Sequence, residues 1–188
     1  MSNQVPAWQG PILDNHFHLN RNGRYLDAAH DFKRAGGTNI VLIHCPDFAS
    51  PPTTKEGHRA AYQNTIAMAE SVRTELDLHV RVVLGPHPAA FAHQFIEWVE
   101  QEGAKGKNRA IENYRDSIDE AVKFYHEGKA HAIGEVGRPH WEVSQEIWDL
   151  SNDLLCETMS LAANDGFALQ LHVAVSYTHL RAHETNSH

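Results

Sequence analysis

Short apolar runs and longer stretches of helical periodicity alternate along most of this 188-residue chain. The apolar runs are Pro11–Phe17 (PILDNHF), Asn39–His44 (NIVLIH), Leu78–Leu84 (LHVRVVL), His131–Glu135 (HAIGE) and Ala168–Val173 (ALQLHV). Gly, Pro or polar residues bound each of them, which marks strands rather than pieces of helix. Between them lie helical stretches at about Tyr25–Ala35, from a Thr54 cap to about Val72, Ala90–Gln101, Ile111–Tyr125 and Val143–Asn164. The polar segment Glu102–Asn108 is expected to separate the third helix from the fourth. Strands that are apolar nearly throughout, each followed by a helix, predict βαβ units and a buried parallel sheet. Such units close into an eight-stranded barrel or open into a doubly wound sheet.

An apolar content of 41% supplies a real core. Sixteen Lys and Arg against 24 Asp and Glu give a net charge of −8, which argues against holding nucleic acid by a basic surface. It leaves open a nuclease whose divalent metals supply the positive charge locally. Cys45 and Cys156 lack the spacing of a zinc knuckle or redox pair and read as buried small hydrophobes in a reducing compartment. No run approaches the ~18 apolar residues of a membrane span, and Met1–Gly10 lacks a secretory pattern. The expectation is a soluble, cytoplasmic protein.

Chemistry-bearing residues gather at the strand ends. In Asp14-Asn15-His16-Phe17-His18, alternate residues share a face, so Asp14, His16 and His18 point one way. Two imidazoles so spaced can reach one metal, or they are two surface histidines. Glu135 ends an apolar strand, where a carboxylate is costly unless paired or bound to a metal; the bland alternative is an exposed strand-end Glu. His172 ends the fifth run in the same way, as ligand or as satisfied polar residue. His87, in the rigid turn Gly85-Pro86-His87-Pro88, is a candidate contact for a substrate phosphate or simply part of a Pro-rich loop. His44, at the second rim, is a candidate substrate contact or a strand cap. Parallel neighbouring strands would bring these groups to one rim, where barrel enzymes build their sites.

The ordered set resembles the TatD-like branch of metal-dependent hydrolases. DNHFHL is similar to that family's first-strand DxHxHL motif, GPHP to its GxHP motif, AIGEVG to its AIGE(I/V)G motif and LQLHV to its fifth-strand histidine motif. The resemblance covers Pro11–Val173 in order. The EVGRPH version, with Arg138 where many relatives carry Leu before Asp, looks closest to an archaeal subgroup. The resemblance implies an α/β fold, a (β/α)8 TIM barrel of which about five βα units are present and which is not closed. It implies one or two divalent ions (Zn, Mg or Mn), with His16 and His18 on the first, Glu135 bridging and His172 on the second. Asp14 would support the ligands from behind, and His87, His44 and Arg138 would contact substrate. The metal would make water acidic enough to attack at neutral pH. The expected reaction is phosphodiester hydrolysis of a deoxyribonuclease-like kind. The alternatives are amidohydrolase-, esterase- or lactonase-type hydrolysis of a small molecule, or a non-catalytic metal-binding module.

After Ala174 the pattern stops. Val175–Thr185 (VSYTHLRAHET) resembles the translation of a transposon adapter used in sequencing-library preparation. Residues 1–174 are therefore expected to be the N-terminal part of the barrel domain, and 175–188 a non-native tail whose histidines are not ligands. The family's later His and water-orienting Asp are not assignable in this chain, so no catalytic residue is named and the chain as it stands is expected to be inactive.

Overall fold

The computed structural model describes residues 8–172. Its element order is β1 (Leu13–Phe17), α1 (Leu26–Arg34), β2 (Asn39–Ile43), α2 (Lys55–Leu76), β3 (His79–Leu84), α3 (Pro88–Glu102), α4 (Ala104–His126), β4 (Ala132–Gly137), α5 (Gln145–Asp165) and β5 (Leu169–His172). The five strands form one parallel sheet in the order β1-β2-β3-β4-β5. The parallel sheet is the one the alternation of runs predicts, and its open half-barrel form is the partial barrel that the family resemblance implies. Residues 175–188, and the tail expected there, lie outside the described residues.

The core sits behind the central strands. Ile40 and Leu42 of β2, Val82 and Leu84 of β3, and Ile133 and Val136 of β4 are fully buried. Tyr62, Ala69 and Val72 of α2 and Ala121 and Phe124 of α4 close over them. These are the positions at which each helix presents one apolar stripe to a sheet. The edge strands differ: Leu13 of β1 is 58% exposed and Leu171 of β5 is 49% exposed. Cys45 and Cys156, expected in the core, are exposed, one just after β2 and the other on the outer side of α5.

Local signals account for the helix ends. The Thr54 hydroxyl accepts the Gly57 amide at 3.1 Å and starts α2, which runs on past Val72 to a left-handed cap at Asp77. Ser144 caps α5 in the same way through Ile147. Segment Glu102–Asn108 differs from expectation. Gly103 alone breaks the chain, at φ 60° and ψ −132°, and α4 begins at Ala104. Lys105 and Asn108 are exposed helix positions and Lys107 a half-buried one, rather than parts of a loop. The buried Gly106 lets this first turn lie on the Trp98 carbonyl, which a Cβ there would approach to 1.9 Å. Among the described residues no helix is long and apolar enough to cross a membrane.

Candidate metal centre

The site is built at the C-terminal ends of the strands. At β1 the pairing with β2 shifts between Asp14 and Phe17, so one extra residue is inserted there. Asp14 Oδ1 stabilises this bulge by accepting the His16 amide at 2.9 Å. The His16 and His18 Nε2 atoms end 3.0 Å apart. His18 Nδ1 lies 3.1 Å from the Ile43 carbonyl, which can only accept. The proton is therefore on Nδ1, and the Nε2 lone pair is free for a cation.

Glu135 occupies the matching irregularity of β4, where Gly134 and Val136 pair with the adjacent residues Gln170 and Leu171. This aims its side chain into the sheet's concave face. The approach of three strands here needs glycine. A Cβ at Gly134 would lie 2.6 Å from the Gln170 carbonyl oxygen of β5, and one at Gly85, just after β3, would lie 2.8 Å from the Gly134 nitrogen. Gly134 and Gly85 thus explain part of the AIGE and GPHP patterns.

Glu135 is 4% exposed and is surrounded by imidazoles. Its Oε2 lies 3.5 Å from His16 Nε2, 3.7 Å from His18 Nε2 and 3.7 Å from His87 Nε2, while Oε1 lies 2.9 Å from His172 Nδ1. Burial pushes the Glu135 carboxyl up, but the His172 hydrogen bond and the facing histidines outweigh it and hold the group ionised, below the usual carboxylate range. A buried carboxylate ringed by imidazole nitrogens is the donor set of a divalent ion. Two triads meet the spacing such an ion needs: His16, His18 and Glu135, and His87, Glu135 and His172.

His87 is better read as a donor than as a ligand. It is the N-cap of α3, and its Nδ1 accepts the Ala89 amide at 3.1 Å. The neutral ring then carries its proton on Nε2, the atom that faces the site. Burial lowers its pKa to about 4, against the pull of Glu135.

His44 and Arg138 do not face Glu135 but line the flanking clefts, His44 beside His18 and Arg138 beside His172. His44 is buried, bonded through Nδ1 to the Thr65 hydroxyl at 2.8 Å and packed edge-on to Tyr62. Burial lowers its pKa to about 3. This is the environment of an interior histidine, the strand-cap alternative. Arg138 turns onto α5, where Nε bonds Asn152 Oδ1 at 2.5 Å and the guanidinium lies over Trp148.

Two site residues escaped sequence reasoning. Gln170 Nε2 reaches across the open side of the sheet from β5 to the Asn15 carbonyl at 3.2 Å and to His16 Nδ1 at 3.1 Å. Its signal was present, since it stands two residues before His172 on one strand. His140 Nδ1 lies 3.0 Å from His172 Nε2. Its signal was the Pro139-His140 pair, which follows β4 as Pro86-His87 follows β3.

Residues 13–186 match the TatD related DNase family. The chain is also 29% identical over 169 residues to an uncharacterised protein of Methanocaldococcus jannaschii, an alignment covering 88% of this chain and 56% of that protein. The chain thus spans about half the length of the curated relative it matches. No solved structure matches it. The order of its motifs, the half-barrel and the matched span agree: the chain belongs to the family of TatD-related DNases, which are metal-dependent hydrolases.

Proposed function

We propose that this chain carries the metal-binding half of a phosphodiester-hydrolysing site. The observation that carries the reading is the buried Glu135 carboxylate ringed by His16, His18, His87 and His172. His16, His18 and Glu135 would hold a first divalent cation, and Glu135 with His172 belongs to a second position. Such a cation supplies Lewis acidity toward a phosphoryl oxygen and toward water. The protein groups set the geometry. The Ile43 carbonyl fixes the His18 ring, Asp14 fixes the β1 bulge, and His87 presents an Nε2–H to an anionic oxygen. Arg21 lines the cleft that His18 also lines, and its Nε is held by the neutral Asn64 amide oxygen at 2.7 Å, so its charge is available to a phosphate.

A second reading, hydrolysis of a neutral ester, amide or lactone, rests on Phe48. This ring is exposed and lies edge-on to His87 at 5.3 Å, an apolar contact beside the candidate donor. Binding decides between the two using the residues of β1–β5 themselves. The Zn2+-loaded chain is titrated with thymidylyl-thymidine and, separately, with γ-butyrolactone. Metal-dependent binding of the dinucleotide, weakened at least tenfold by Arg21→Ala and by His87→Ala with metal affinity retained, supports the phosphodiester reading. Binding of the lactone alone overturns it.

A further inference from the structure

The loop after β4 places a histidine that the family motifs do not assign. His140 is exposed on its solvent side, yet the loop around it is fixed. Pro139 before it is buried, and Trp141 after it stacks on His93 of α3 at 5.3 Å and 22°. His140 Nδ1 is thereby set 3.0 Å from His172 Nε2. Two imidazole nitrogens bound to one ion at ~2.1 Å, at angles of about 90–110°, lie roughly 3.0–3.4 Å apart. The spacing equals the 3.0 Å between the His16 and His18 Nε2 atoms on the other side of Glu135.

Proton bookkeeping supports the same conclusion. His172 Nδ1 faces a carboxylate oxygen that only accepts, so Nδ1 carries the proton and Nε2 presents its lone pair to His140. Glu135 Oε1 stands behind His172, the arrangement in which a carboxylate orients a metal-binding imidazole through its far nitrogen. From the structure we infer that His140 Nδ1 and His172 Nε2 jointly hold the second divalent cation, with Glu135 orienting His172. This rests on the proposed metal-centre reading and adds His140 to it. His140 and His172 line one cleft with Arg138, Trp141 and Trp148, where substrate would reach a cation held by the two imidazoles. A pair of imidazoles selects Zn2+ or Co2+ over the harder Mg2+.

The test counts sites. The 188-residue chain, with His140→Ala, His140→Gln and His18→Ala variants, is titrated calorimetrically with Zn2+ and followed by the visible absorption of Co2+, with circular dichroism confirming each fold. Two sites are expected in the parent chain. His140→Ala should lose one, or weaken it by more than the roughly 10–100-fold that loss of an outer-sphere partner costs. His18→Ala should lose the other, and millimolar Mg2+ should displace neither. His140→Gln keeps a hydrogen-bond donor toward His172 but not the imidazole lone pair, and should behave as His140→Ala. Full second-site affinity in either His140 variant, or one site in both the parent and His140→Ala, overturns the assignment and leaves the metal centre standing. No site in the parent overturns the metal centre as well.

Discussion

His172 Nδ1 meets Glu135 Oε1 at 2.9 Å, joining the end of β5 to the bulge of β4 and committing one carboxylate oxygen to one imidazole. The other oxygen is left to face His16, His18 and His87. Once the histidines are neutral, a buried anion in this setting is costly without a cation, because uncharged imidazoles compensate its lost hydration poorly.

Replacing Glu135 by Gln therefore separates stability from binding. The metal-free Glu135→Gln chain is expected to melt at or above the parent temperature at pH 8, where the histidines are neutral. It should lose the stabilisation that saturating Zn2+ gives the parent, about 2.7 kcal/mol at a hundredfold excess over Kd. Thermal melts with and without Zn2+ read both effects. A metal-free variant much less stable than the parent would show that Glu135 is a structural anion.

Gln170 sets the proton of His16. Its amide nitrogen is committed to donate by the Asn15 carbonyl, so His16 Nδ1 accepts and the proton sits on Nε2, where the metal must bind. Gln170→Glu would accept from Nδ1–H instead and leave Nε2 free. First-site Zn2+ affinity is expected to rise by roughly 10–100-fold, the range of such outer-sphere effects. An unchanged or weaker affinity in calorimetry would mean that Gln170 only clasps β1 to β5.

The buried His44 makes the fold acid-labile. Burial first, then the neighbouring His58, His18 and His87, lower its pKa from 6.5 to about 3. The unfolded chain binds the proton more readily, so stability is full above pH 6.5 and falls as pH drops from 6.5 toward 3. The slope is up to about 1.4 kcal/mol per pH unit for this one group. Burial lowers the pKa values of His58 and His87 too, adding in the same direction. Urea unfolding of metal-free protein at pH 7, 6 and 5 measures the slope. His44→Asn, which keeps a donor for Thr65, should flatten it, and an identical slope would remove His44 from the account.

Gly134→Ala tests the close approach of β3, β4 and β5. The new Cβ would meet the Gln170 carbonyl oxygen at 2.6 Å and its Cβ at 2.8 Å, and a paired backbone has nowhere to retreat. The expected loss is about 1–3 kcal/mol in urea unfolding, the usual cost of overpacking. A neutral result would show that β4 and β5 separate freely.

The alternation of NIVLIH and LHVRVVL with amphipathic stretches made the parallel sheet legible, because buried parallel strands have no solvent face to break the apolar run. His16, His18, Glu135 and His172 were legible as polar groups interrupting such runs at one end. The α3–α4 junction was not, since lysines and Asn read alike on an exposed helix and in a loop, and only Gly103 carries the break. Nor were the two bulges, which replace strict alternation at Asp14–Phe17 and Gly134–Val136. The placement of Arg138 on Trp148 and Asn152 depends on α5, some ten residues further on, and no local pattern announces it.

The most direct measurement is the Zn2+ content of the purified chain and of the His16→Ala/His18→Ala double variant after dialysis against trace-metal-free buffer. The parent is predicted to retain at least one Zn2+ per chain, with the double variant losing that ion while keeping its circular dichroism. A folded parent chain that retains no more zinc than the double variant would contradict the metal centre.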